Sequence, residues 1–312
     1  MYARIGIALL VVVAALVWVL PSYYTGLLTL IALYGLVTIG LNLFMGYGGQ
    51  VSLGQAAFVG IGAYTSAILG TKAAVSPWLG MLAGAFTAAL VAYALSFVAL
   101  RLRENLLALA TLALGIVIAV VFNEWDWIGG SSGVKNIPGF TLGAFVFDLR
   151  AYAILAWALL ALALWFAANL VRSSFGHALV AIASSELGAQ ALGIDAQRIK
   201  RQTFVLAAMY AGIAGAIYAS YQSYIDPSSF GVLLSVNFVL MSIIGGIRTL
   251  WGAVIGAAVV VTLGQFLQIV VPAIVPSARG DFQSFFLGVI LIAMLILLPR
   301  GIAGRFAVGA RA

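Results

Sequence analysis

Apolar runs of roughly 20 residues, each long enough to cross a bilayer as a helix, recur along this chain between short clusters of glycine, proline and charge. Ten can be marked, at 3–20, 26–45, 51–70, 78–100, 105–122, 151–171, 202–221, 232–247, 251–271 and 284–298. The pattern predicts an all-α polytopic bundle of about ten transmembrane spans, forming one domain over residues 1–312. The first run follows Arg4 as a signal peptide would, but no small-residue cleavage site precedes Pro21 and Tyr23, so it reads as a retained span.

Two long connections interrupt the apolar pattern. In the first, residues 123–150, Gly129, Gly130, Gly133 and Pro138 predict a turn-rich cap: either a docking surface or a solvated loop anchored by Trp125 and Trp127. The second, residues 172–201, is the longest interval without a spanning run, and connections of that length are usually functional or disordered. Ala178–Ser184 and Glu186–Leu192 favour helix, with Gly176, Gly188 and Gly193 as natural breaks. They predict two short helices at a membrane surface, solid enough to transmit a push; the alternative is an ordinary solvated loop. His177, the single histidine, reads as a surface residue of this loop rather than as a ligand or base.

Composition strengthens the membrane reading. Hydrophobic residues make up 64% of the chain and charged residues only 7%, against roughly 25% charged in a soluble protein. The net charge of +7 is scattered singly between apolar runs, which speaks for topology rather than nucleic-acid binding. With the N-terminus inside, eleven Lys and Arg fall on the cytoplasmic side, including Arg101, Arg172, Arg198, Lys200, Arg201 and Arg248. Four fall outside: Lys72, Lys135, Arg150 and Arg279. Both termini and the 172–201 loop are therefore expected in the cytoplasm, and 123–150 outside.

The densest motif is GYGGQVSLGQAAFVGIGAY at 46–64. Glycine at that frequency disfavours a straight lipid-facing helix, and unwound backbone at membrane depth survives only inside protein or along a watery cavity. Such broken helices mark substrate paths in transporters, with close helix packing as the alternative. The candidate path residues are Asn42, Gly48, Gly49, Gln50, Ser52 and Gln55, with a second glycine pair, Gly245 and Gly246, in a similar setting. Its likeness to Gly48-Gly49 hints at an internal repeat. Gly80 with Gly84, and Gly252 with Gly256, look like packing pairs. No carboxylate or histidine lies inside a predicted span, whereas ion-coupled carriers generally bury such groups. Cysteine is absent, and no metalloprotease, serine-hydrolase or phosphate-loop motif occurs. No catalytic residue, metal site or cofactor is assigned, and active transport would take its energy from another subunit.

Taken in order, GYGGQVSLGQAAFVGIGAY, LALATLALG (107–115), RSSFGHALVAIASSELGAQALGI (172–194) with Lys200, AGIAGAIYA (211–219), IIGGIRTLWGAVIGA (243–257) and PRGIAG (299–304) resemble the LivM-type permease subunit of branched-chain amino acid ABC transporters. The resemblance implies a multi-pass protein of the bacterial inner membrane. It would work with a second permease subunit, two cytoplasmic ATPase subunits, a periplasmic substrate-binding protein and membrane lipid. It also implies that 172–194 is the element the ATPase drives, with His177, Glu186, Gly193 and Lys200 as its coupling residues. His177 stands where the family usually has Arg, and Ala183, Ser184 and Ser185 where it has charge; Glu186 is kept. Because that fold also serves other solutes, a sugar, nucleoside, urea or amide permease remains an alternative. From other classes come a self-sufficient secondary carrier and a structural membrane subunit.

Overall fold

A computed structural model describes residues 16–102, 104–143, 145–274, 288–290, 292–294, 296–297 and 301–303. Most of the expected spans 3–20 and 284–298, and both chain ends, lie outside the described residues. Helix α1 covers Ser22–Asn42 and runs on into a π-helical turn at Leu43–Tyr47. Then come α2 (Gln55–Lys72), α3 (Pro77–Ala99), α4 (Glu104–Glu124) and α5 (Leu149–Arg172). Two short helices, α6 (Ser174–Ser184) and α7 (Glu186–Ala191), lead into α8 (Ala196–Gln222), α9 (Val232–Gly245) and α10 (Leu250–Ile274).

Seven helical segments among the described residues are long and apolar enough to cross a membrane: Ser22–Tyr47, Pro77–Ala99, Leu106–Glu124, Leu149–Arg172, Ala196–Gln222, Pro227–Gly245 and Leu250–Val270. The chain is thus an all-α, polytopic membrane protein. The expected span 51–70 is different: residues 51–54 are not helical, α2 starts only at Gln55, and it is not one of the seven. Gln55, the glycines, Ser66 and the threonines dilute its apolar character. It tolerates them because it is an interior helix, buried at nearly every position from Gln55 to Ala67.

Around α2 pack α3 and α8, while α1 lies among α5, α8, α9 and α10. Close approach depends on glycine: a Cβ on Gly62 would strike the Gly212 carbonyl, and one on Gly215 the Val59 carbonyl. Gly80 against Ser66, Gly84 against Gly62, Gly252 against Gly245 and Gly256 against Met241 are packing contacts of the same kind. Backbones meeting this closely gain dispersion contacts that lipid cannot match, the usual basis of helix association in a bilayer. The outer faces are apolar, with Leu82, Phe86 and Leu90 of α3 and Leu109, Val117 and Val120 of α4 exposed.

Residues 123–150 form a folded cap. Strand β1 (Val134–Lys135) is separated from hairpin strands β2 (Thr141–Leu142) and β3 (Phe145–Val146), and pairs antiparallel with β4 (Tyr224–Ile225), Val134 opposite Ile225. The Lys72 ammonium donates to the Trp127 carbonyl and lies 4.3 Å from that ring's centroid. Nearby Asp226 caps the turn Pro227–Phe230; burial pushes its carboxyl pKa up, but hydrogen bonds from Ser228 and Ser229 outweigh this and hold it below the usual value. Lys72, the cap and 222–230 thus gather at one end of the bundle, while 46–49, 174–184 and 246–249 meet at the other.

The 172–201 interval is helical almost throughout, and two of the three breaks expected at glycines fall at serines instead. Chain direction changes at Ser173 and Ser185, while Gly176 lies inside α6 and Gly188 inside α7. Serine is the better terminator here because its hydroxyl caps a new helix: Ser185 Oγ accepts from the Gly188 N–H at 3.1 Å. Gly176 has a packing reason instead, since a Cβ there would strike the Val171 carbonyl. Gly193 does end α7, at φ +80°, with Ile194 N donating to Ala189 O at 3.1 Å.

Candidate solute path and coupling element

The predicted break in the helix is present. Gly48 N donates five residues back to Leu43 O at 3.1 Å, Gly49 N to Met45 O at 3.1 Å and Gln50 N to Phe44 O at 3.2 Å, after which the backbone unwinds until Gln55. π-Helical turns of this kind recur at functional sites. Two side chains from other helices receive amides of the unwound segment and of the first turn after it: Thr111 Oγ1 takes Leu53 N and Ser235 Oγ takes Ala56 N, each at 2.9 Å. Thr111 lies about 10 Å from the start of α4 and Ser235 about 15 Å from the end of α9, at 1.5 Å rise per residue. The segment therefore climbs from the end of the bundle to a point well inside it.

Gln50, Ser52 and Gln55 are buried along this climb. Ser52 Oγ accepts from Gly54 N at 3.5 Å. Gln55 is 0% exposed, and neither its amide nitrogen nor its amide oxygen has a partner in the protein. An unsatisfied buried amide costs roughly 1–3 kcal/mol, and a group kept at that cost invites a functional explanation.

Asn42 is placed differently from the other path candidates. Its Nδ2 donates to Thr249 O at 2.9 Å and Gly246 O at 3.4 Å, and its Oδ1 accepts from Arg248 N at 3.1 Å, so its carboxamide is fully engaged. Gly48 and Gly49 lie against α6: positions where their Cβ atoms would stand are 3.2 Å from Leu179 Cδ1 and 3.2 Å from Ala183 Cβ. Gly49 has φ +69°, and Gly246, at φ +122°, ends α9. Asn42, at the end of the helix that leads into Gly48 and Gly49, thus bonds directly to Gly246 of the second pair.

In the 172–201 interval, Glu186 and Lys200 find each other. Lys200 Nζ lies 2.7 Å from Glu186 Oε2, with the lysine side chain 7% and the glutamate 42% exposed. The pair pins α7 to α8, over a small apolar cluster of Ile182, Ala189 and Ala196. His177 is exposed, with Nδ1 2.9 Å from Ser173 O. It lines a groove of about 790 Å³ between α6 and the start of α8, together with Ser174, Ala181, Ile194, Asp195 and Arg198.

Sequence reasoning missed Thr111, Ser235, Tyr47 and the structural part of Arg248, which counts there only as a topological charge. None carries a local signal, because each acts on residues dozens to some 200 positions away. Among the described residues no group of three or more His, Cys, Asp or Glu could hold a metal ion.

A family model described as branched-chain amino acid transport system, permease component, matches residues 23–295. The high-affinity branched-chain amino acid transport system permease protein LivM of Escherichia coli (strain K12) is 26% identical over 321 residues, covering 95% of this chain and 73% of that protein. The LivM protein of Salmonella typhimurium is 25% identical with the same coverage. The autoinducer 2 import system permease protein LsrC of Salmonella paratyphi B is 30% identical over 222 residues, 70% of this chain and 59% of that protein. No solved structure matches the chain at significance.

Proposed function

This chain belongs to the branched-chain amino acid transport system permease family, and on that premise we propose how its residues divide the work of an ATP-binding-cassette importer. It is the permease subunit, not an enzyme. It crosses the bacterial inner membrane about ten times with both termini cytoplasmic, and it lines one half of a pore that it shares with a second permease subunit. A periplasmic binding protein delivers the solute, and two cytoplasmic ATPase subunits act on the groove beside His177 and on the α6–α7 element. Glu186, Lys200 and Gly193 keep that element in shape for its partner.

The solute is a branched-chain amino acid or a similarly small polar molecule. Its path follows Gln50, Ser52 and Gln55, together with Asn42, Gly48, Gly49, Gly245 and Gly246. A zwitterion needs donors and acceptors rather than a fixed charge, and a weak site lets it leave again. The carrying observation is the Gln55 carboxamide, buried at the foot of α2 with both polar atoms unengaged. In the reconstituted complex, Gln55→Leu should lower uptake several-fold without changing the solute's affinity for the binding protein; normal uptake by the correctly inserted variant sinks this path. Likeness to LsrC at 30% identity favours autoinducer 2 as the second solute to try, and competition between it and leucine for uptake separates the two.

A further inference from the structure

Five hydrogen bonds join the end of α1 to the loop between α9 and α10, across more than 200 positions of sequence. Three involve the Asn42 carboxamide with Gly246 O, Thr249 O and Arg248 N. The fourth runs from Arg248 Nε to Gly46 O at 3.0 Å, and the fifth from Tyr47 Oη to Arg248 O at 2.8 Å. Arg248 has φ +70°, a left-handed conformation that side chains with a Cβ adopt only at a cost. The bonds to its N–H, its carbonyl and its side chain hold it there.

The opposite side of the same segment carries α6. Leu179 and Ala183 are four residues apart, hence on one helix face, and they rest on Gly48 and Gly49 with no side chain between. A displacement of α6 therefore reaches 48–49 directly and 42–47 through the π-helical turn. That turn holds one residue more than α geometry would, so 43–47 can repack by a one-residue shift. Whatever moves there must drag or break the five bonds to 246–249, and with them the ends of α9 and α10. Apolar side chains could hold these segments together as firmly; directional bonds add a fixed register between them.

We infer that Arg248 and Asn42 are positioning residues of the transport cycle, which convert movement of α6 into movement of α9 and α10 in step with the break at 48–55. This rests on the proposed reading of α6 as the element that the ATPase drives.

The test uses the full complex in liposomes, with ATPase subunits and binding protein, and reads solute taken up per ATP hydrolysed. Arg248→Gly suits it, because glycine accepts φ +70° freely, so the variant loses the side-chain bond while easing the backbone. Solute-stimulated ATP hydrolysis should stay near wild type while uptake per ATP falls by about five-fold or more, the range of a typical coupling free energy. Tyr47→Phe, which removes one bond and leaves the backbone untouched, should give a smaller loss in the same direction. Arg248→Lys, whose ammonium can still donate to Gly46 O, should recover part of the ratio. An unchanged ratio in both Arg248→Gly and Tyr47→Phe overturns the inference, and so does a loss of hydrolysis in proportion to uptake, which marks a merely structural role. A wild-type complex without solute-stimulated hydrolysis refutes the importer reading itself, and the inference falls with it.

Discussion

Helix α7 has six residues, far too few to persist alone in water, so its position depends on what ties it down. The Ser185 cap and Ala189 contribute, and the Glu186–Lys200 pair at 2.7 Å is the charged tie. A hydrogen bond between charged groups contributes roughly 1.5–3 kcal/mol. Because Glu186 is 42% exposed, solvent screening places Glu186→Gln near the lower end, at about 1.5 kcal/mol. Glu186→Lys goes further, setting a second cation beside an ammonium that is almost wholly buried, and should cost about 3 kcal/mol. A charge change in a loop would ordinarily cost little; burial of Lys200 is what alters the expectation. At about 1.4 kcal/mol per factor of ten, amide hydrogen exchange over residues 186–192 should speed up roughly tenfold in Glu186→Gln and roughly a hundredfold in Glu186→Lys. Amides of α2 should be unaffected, since opening would be local. Lys200→Met removes the buried charge along with its partner's need for it, and should open α7 less than Glu186→Lys does. Solute-stimulated ATP hydrolysis should fall in the same order. Unchanged exchange over 186–192 in Glu186→Lys, or a larger effect from Lys200→Met, refutes this reasoning and leaves Glu186 free to contact the ATPase directly.

Two further outcomes are expected. Alanine normally stabilises a helix by roughly 1 kcal/mol relative to glycine, yet Gly215→Ala should lower thermal stability in detergent by about 1–3 kcal/mol, because its methyl would enter the Val59 carbonyl; Gly264→Ala in α10, with nothing within 4 Å, should be neutral or stabilising. In a chain without cysteine, a membrane-impermeant thiol reagent applied outside intact spheroplasts should label Ser132→Cys and spare Ser184→Cys, both exposed positions; labelling of Ser184→Cys reverses the proposed orientation.

Much of this protein is legible in its amino-acid sequence alone. Spans that face lipid must be apolar for about 20 residues, so α1, α3, α4, α5, α8, α9 and α10 announce themselves by length and hydropathy. A run as glycine-rich as 46–64 disfavours one lipid-facing helix, so a break within it is legible too, although the expected span begins at 51 and the helix only at Gln55. Local chemistry misleads where two local signals compete: Gly176 and Gly188 look like breaks, but the serines at 173 and 185 end the helices, one of them by a cap bond that outweighs a glycine's weak preference. What needs the tertiary structure are relations between distant residues. Hydropathy says that Gly62, Gly212 and Gly215 are small, not that α2 and α8 touch through them. Charge counting places Arg248 and Lys200 on one side of a membrane, but only the fold sets Arg248 against Gly46 and buries Lys200 beside Glu186. The physical reason is that a span's apolarity is demanded by lipid, the same everywhere along the chain, whereas a polar group's role depends on which partner packing brings within about 3 Å, and no local pattern encodes that.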